Sequence, residues 1–335
     1  MLVDGGIGID WTRSAEGARQ AELDGYDGAW AAETSHDPFT LLTMAATATE
    51  KIQLGTNIAV AFARNPMTMA VQANDIHWLS KGRMVLGLGS QIKPHIEKRF
   101  SMPWSSPAAR MREFVMAMHA IWDCWNDGTK LAFRGDFYTH TLMSPFFNPG
   151  PNPYGKPKVF LAGVGELMTQ AAGEVCDGFL AHGFTTERYL KEVTVPALET
   201  GMAKSGRARA GFEVSMPAFI VSGRDADELE KAKAATKAQI AFYGSTPAYR
   251  GVLELHGWGD LQDKLNGLSK EGKWKEMGES LDDELLSAFA VVGEPEYIGP
   301  EMLRRYATTV DRLSLYAPYP MADEVTRTIV SGLRS

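Results

Sequence analysis

The sequence predicts a (β/α)8 barrel, and three observations carry that expectation. Eight apolar runs of strand length recur along the chain, most are followed by an amphipathic stretch of helix length, and no linker or shift in composition divides the 335 residues. Strict strand–helix order implies a parallel sheet with helices as crossovers, and eight such units close naturally into a barrel. An open doubly wound sheet is the architectural alternative. Barrels of this kind routinely reach about 250 residues as one domain, so a single domain over residues 1–335 is expected.

The first run, Leu2–Ile9, leads into an amphipathic segment, Ser14–Asp24, with Ser14 as a candidate N-cap and Gly25 as its end. Asp27–Ala32 reads as the second strand. Pro38 opens a helix through Thr49, at a first-turn position where its missing N–H does no harm. Strand Ile52–Val60, helix Pro66–Leu79 and strand Arg83–Leu88 follow. Ala109–Asn126 is a clear helix, and 133–157 is an excursion rich in Gly, Pro and aromatic residues. Alternation resumes with strand Lys158–Ala162, helix Leu167–Cys176, strand Asp177–Ala181, helix Glu187–Lys204, strand Glu213–Val221 and helix Ala226–Phe242. The segment 243–284 is irregular with short helical pieces. Helix Glu294–Tyr306, strand Arg312–Tyr316 and a closing amphipathic helix complete the chain.

Bulk properties narrow the function. At 44% hydrophobic and 22% charged residues the chain can bury a large core. A net charge of −7 without any long Lys/Arg block argues against nucleic acid as a partner. No window reaches the roughly 18 uncharged apolar residues of a membrane span. The opening MLVDGGIGID has neither the basic nor the apolar region of a signal peptide. Cys124 and Cys176 form no CxxC pair and no disulfide framework. A cytoplasmic protein acting on a small molecule is expected.

In such a barrel the active site lies where strands end and the following loops begin. Those positions hold Glu33, Thr34, Ser35, His36 and Asp37 after the second strand, and Ala61–Asn65 after the third. Gly89, Ser90, Gln91 and Ile92 follow the fourth, Gly163, Val164 and Gly165 the fifth, and His182 and Gly183 the sixth. The first strand ends in Gly8, Ile9 and Asp10, with no HxH pair for a hydrolytic metal, so no metal site is expected. Lys158 begins its strand rather than ending it, which removes it as a Schiff-base lysine. Glu33 has no acidic partner at the ends of strands four to seven, as a glycosidase requires. Glycine, backbone and aromatics remain, and they suit a large flat cofactor that brings its own reactivity.

Two glycine turns need separate weighing. Gly87-Leu88-Gly89-Ser90 suggests a dinucleotide fingerprint, but Ile92 occupies the place of the third glycine and no suitably placed ribose acid follows. Its glycines either relieve crowding at a strand end or pack a cofactor. Ala162-Gly163-Val164-Gly165-Glu166 joins a strand to a helix, whose free N–H groups attract phosphate. The alternative is plain βα punctuation.

Several segments, GYDGAWAAETSHDPF (25–39), LGTNIAVAFARNP (54–66), KGRMVLGLGS (81–90), VFLAGVG (159–165) and CDGFLAHGF (176–184), resemble luciferase-like monooxygenase barrels. They are most similar to the branch assigned to the deazaflavin coenzyme F420. The resemblance runs in order through nearly the whole chain and is clearest over its first two-thirds.

The resemblance implies hydride transfer between coenzyme F420 and a small organic substrate, and a homodimer. It implies a cis peptide at Asn57–Ile58, in a bulge that supports the back of the cofactor ring. Ser90, Gln91 and His95 then fall along the ribityl chain. Gly163, Val164, Gly165 and Glu166 form the phosphate turn, with His182 beside the same phosphate, and Glu33 and Thr34 lie at the ring edge. Many relatives carry His where this chain has Thr34, so His36 becomes the candidate to replace it. Ile92 stands where some sugar-phosphate-oxidising relatives have Glu, which leaves the general acid unassigned.

Other roles stay open on the residues themselves. Glu33 serves either chemistry or the holding of loop N–H groups, and Lys93, Lys98 and Arg99 either attract the acidic tail of the deazaflavin or form a solvated face. Phe62, Trp104, 133–147 and 243–258 are candidate substrate walls, and Trp30 and Trp78 are expected in the core. Two functional alternatives remain: a monooxygenase using reduced FMN and oxygen, and a non-catalytic flavin-binding barrel.

Overall fold

Eight parallel strands close on themselves in a computed structural model that describes residues 1–8 and 10–334. They are β1 (Leu2–Gly6), β2 (Gly28–Ala31), β3 (Gln53–Thr56), β4 (Met84–Gly89), β5 (Lys158–Ala162), β6 (Gly178–Leu180), β7 (Glu213–Val221) and β8 (Arg312–Tyr316). Each pairs with the next in sequence. The circuit closes through β8 and β1, with Arg312 opposite Leu2. All eight expected runs are strands, and the chain is a (β/α)8 barrel. Ile9, the expected end of the first run, lies outside the described residues.

After α1 (Ser14–Leu23), the crossover helices start where local chemistry dictates. In α2 (Pro38–Ala48) the Asp37 carboxylate accepts the N–H groups of Phe39 and Thr40, and in α3 (Pro66–Leu79) the Asn65 side chain accepts that of Thr68. Proline holds the first position of both. Before α4 (Pro107–Asp127) the chain runs as a loop, and Gly128 ends that helix in a left-handed conformation.

Three segments depart from expectation. The third run is broken: β3 stops at Thr56, and Ala59–Val60 resumes beside Leu88 and Gly89 of β4. The expected helix Glu187–Lys204 carries a wide turn at Leu190–Thr194. Pro196 follows it and has no N–H to continue the helical ladder. The 243–284 segment is mostly helical, with Arg250–Leu255, Gly259–Lys270, Trp274–Glu279 and Asp283–Phe289, and it feeds a short strand, Ala290–Val292, onto β7. Trp78 is not a core residue: it is 45% exposed on α3. Among the described residues no helix is long and apolar enough to cross a membrane.

Polar groups organise the N-terminal end of the barrel. An aspartate just before β2, β6 and β8 accepts a backbone N–H from the neighbouring strand: Asp27 from Val3, Asp177 from Val159 and Asp311 from Val214. Inside, the Arg312 guanidinium makes a two-pronged contact with Asp4 at 2.7 and 2.8 Å, and it also reaches Gln53 and Glu213. Gly28 is required beside them, because a Cβ there would lie 2.6 Å from the Asp4 carboxylate. Arg312→Met leaves two carboxylates without their shared cation and should lower unfolding free energy by about 3–5 kcal/mol. Urea denaturation followed by circular dichroism measures this, and an unchanged midpoint would contradict it.

Candidate active site

The ends of β3 and β4 build a floor at the C-terminal mouth. Thr56 Oγ1 donates to the Gly87 carbonyl at 2.6 Å, and a Cβ on Gly87 would sit 1.9 Å from the Thr56 carbonyl oxygen. The chain then bulges through Asn57–Ile58, whose peptide is cis, while the Asn57 N–H still donates to the Ala31 carbonyl at 2.8 Å. Ile58 lies against Gly89, where a Cβ would approach its side chain to 2.8 Å. With Trp30 and Ala162 it rests on a layer of Val85, Phe160 and Leu180. The glycines of Gly87-x-Gly89 are thus explained by crowding against the broken third strand.

Glu33 brackets that bulge. Its N–H donates to the Ile58 carbonyl at 3.3 Å, and its carboxylate accepts the Val60 N–H and one arm of Arg64, both at 2.7 Å. The other arm of Arg64 donates to Asp37 at 2.7 Å. Thr34 is exposed, and its carbonyl accepts from Arg99 at 2.7 Å. His36 is exposed as well, its ring 6.2 Å from that of Trp11 in the loop after β1. Ser90 Oγ donates to the Gln91 carbonyl, Gln91 takes a left-handed φ of 60°, and exposed His95 begins the wide turn His95–Arg99. Lys93 lies 3.8 Å from Glu97, both solvent-facing.

A shallow cleft, partly open to solvent, lies at the ends of β5 and β6. It gathers Gly163, Val164, Gly165, Glu166 and His182. Gly165, at φ 83°, precedes α5 (Glu166–Val175) and has no side chain to cap it, so the first-turn N–H groups are left free. Thr185 faces the same cleft, and its hydroxyl is buried with no partner although the residue is only 7% exposed. His182 Nδ1 accepts the Phe184 N–H at 3.0 Å, which places the proton of the neutral ring on Nε2. That ring stacks on Tyr249 and meets the edge of Tyr243, each at 4.7 Å. Burial pushes His182 down to about 4 and Tyr249 up to about 12. Tyr243 and Tyr316 share a hydroxyl–hydroxyl hydrogen bond of 2.7 Å behind them. No Lys or Arg lines the cleft.

The structure therefore separates the expected residues into a floor, a rim and a cleft. Glu33 and Asn57–Ile58 belong to the floor, Thr34, His36 and His95 to exposed loops, and the 163–166 turn with His182 to the cleft. Phe62 is fully buried beneath Trp104 and Arg110, so it supports the mouth and does not line it. Phe146 and Phe147, expected among the walls, are 90% and 73% exposed and meet each other edge to face. Sequence reasoning assigned no role to Arg64 or Thr185. Arg64 was visible as a charge at a strand end, whereas nothing in HGFTTERY marks one threonine above the next. Among the described residues no cluster of His, Cys, Asp and Glu could hold a metal ion.

The model of the family described as luciferase-like monooxygenase matches residues 2–312. An uncharacterized protein of Mycobacterium tuberculosis is 57% identical over 313 residues, 93% of this chain and 92% of that protein. A 5,10-methylenetetrahydromethanopterin reductase of Archaeoglobus fulgidus is 28% identical over 82% of this chain and 80% of its own length. Among solved structures, the coenzyme F420-dependent tetrahydromethanopterin reductase of Methanopyrus kandleri superposes with a TM-score of 0.78 at 20% identity, covering 99% of this chain and 96% of that one.

His182 has a consequence in solution. Its pKa in the fold lies below the usual 6.5, so as pH falls from 6.5 towards 4 the unfolded chain takes up a proton that the fold refuses. The residue therefore costs stability in that window, and none above it. His182→Phe should lose less stability than the parent on acidification, read from denaturation midpoints at both ends of the window. Equal losses would show that His182 titrates normally.

Proposed function

Because the chain belongs to the luciferase-like monooxygenase family, whose members are F420- or flavin-dependent oxidoreductases and monooxygenases, we propose that it is a coenzyme F420-dependent oxidoreductase. It moves a hydride between the deazaflavin and a small organic substrate bearing an alcohol, a carbonyl or an activated C=C bond. The observation that carries this reading is the union of an apolar floor with an anion-ready cleft. Ile58 and Ala162 pack on one apolar layer, and Ala162 is followed directly by the glycine turn, which lines the same cleft as the orphan hydroxyl of Thr185. A flat ring joined by a polyol to a phosphate fits that pairing.

When bound, the deazaflavin supplies the carbon that gives or accepts the hydride. The chain's own residues position and desolvate. Asn57 and Ile58 support the ring, Glu33 and Arg64 fix the bulge beneath it, and Ser90, Gln91 and His95 flank the polyol. Gly163, Val164, Gly165, Glu166 and His182 hold the phosphate, with Thr185 added to that set. Glu33 is a positioning residue, since its carboxylate is engaged by Arg64 and the Val60 N–H. Thr34 cannot carry a proton near neutral pH, which leaves His36 to exchange it with the substrate across the mouth.

Fluorescence titration tests the cofactor. The protein should bind F420, and Gly163→Asp, which sets a negative charge in the phosphate turn, should weaken binding at least about tenfold, equivalent to 1.4 kcal/mol. Tight FMN binding with NAD(P)H-dependent oxygen uptake and no deazaflavin binding would assign the monooxygenase chemistry instead. For His36→Ala, turnover should fall by about 10²–10⁴-fold with the F420 dissociation constant unchanged. Undiminished turnover would remove His36 from the mechanism.

A further inference from the structure

The cleft at the ends of β5 and β6 offers an anion hydrogen bonds but no opposite charge. Its polar lining includes the uncapped N–H groups opening α5, the unpartnered Thr185 hydroxyl and the His182 ring. Four titratable side chains face it: Glu166 from α5, His182 from the loop after β6, Tyr189 from the following helix and Tyr249 from the excursion after β7. Burial keeps His182 uncharged and raises both tyrosines, so all three are neutral near pH 7. Glu166 is exposed at the rim, its carboxylate accepting the Gln170 amide. The nearest basic side chains on the 187–194 segment are already engaged, Arg188 with Glu192 and the Leu255 carbonyl, Lys191 with Glu187.

A helix N-terminus supplies only about half a positive charge. That balances part of a phosphodiester, which carries one negative charge. A terminal phosphate carries about 1.5 to 2 at neutral pH. Its second charge would be desolvated with no cation to meet it, beside the Glu166 carboxylate.

We propose that this cleft selects a singly charged phosphodiester over a doubly charged phosphate monoester. The proposal rests on the cofactor reading above and gives it a physical reason: F420 joins its ribityl chain to the rest of the molecule through a phosphodiester, whereas FMN ends in a monoester. Discrimination between the two cofactors is then made at the phosphate as well as at the ring.

Matched ligands isolate the charge. The protein is titrated, by fluorescence, with 8-hydroxy-5-deazariboflavin 5′-phosphate and with its methyl phosphodiester, and in parallel with FMN and its methyl ester. Within whichever ring series binds, the methyl ester should bind at least about tenfold tighter at pH 7.5. The gap should close towards pH 5.5, where the monoester loses its second charge, its pKa being about 6. Val164→Arg, on the exposed part of the turn, should narrow the gap at pH 7.5 by strengthening the monoester. Equal affinities at pH 7.5, or a gap that ignores both pH and the added arginine, would overturn the proposal while F420 binding leaves the cofactor reading standing. Binding of neither F420 nor any of the four ligands would overturn both.

Discussion

The barrel depends on one buried cation. Arg312 is fully buried, yet its guanidinium meets Asp4 on β1, Gln53 on β3 and Glu213 on β7, and its face lies 5.6 Å from the ring of Trp30 on β2. Counting its own strand, five of the eight strands converge on this group. Charge in a barrel interior is tolerated only when each donor and acceptor is met, so the ring closes in one register or leaves charges bare. Everything above follows from that closure. Trp30, which the guanidinium faces, packs in turn on the apolar layer of Val85, Phe160 and Leu180 that also carries Ile58 and Ala162.

The candidate site is divided around the C-terminal mouth. The floor at β3 and β4 is built from close approach, where Thr56 and Ile58 occupy space that side chains at Gly87 and Gly89 would fill. The cleft at β5 and β6 is built from unspent hydrogen bonds. In the cleft, burial keeps His182 uncharged, which accords with a protein whose reactive centre is supplied by what it binds. The Glu33–Arg64–Asp37 chain shows how an acid at a strand end becomes part of the scaffold once a guanidinium takes it up.

Much of the fold was legible because the strands are short, apolar and punctuated. Asp27-Gly28 and Asp177-Gly178 mark strand starts, and Asp37-Pro38 and Asn65-Pro66 mark helix starts, all through local chemistry that a sequence displays. The broken third strand was legible only through the resemblance, which implied a cis bulge at Asn57–Ile58; by residue type alone the two look like any strand pair. The site was legible where backbone makes it, at the glycine turn, and illegible where tertiary packing does. Thr185 matters because nothing else reaches its hydroxyl, and Trp78 surfaces because α3 buries its other face. Neither fact is encoded within a few residues of the position concerned.

The neutrality of the cleft also sets how a ligand arrives. A chain of net charge −7 with no lysine or arginine lining this cleft presents no electrostatic funnel to an anionic ligand. Approach of an anion to the cleft is then unsteered, and added salt, which screens mutual repulsion, does not slow it. Whatever occupies the cleft is held by contacts made after arrival rather than by attraction on approach.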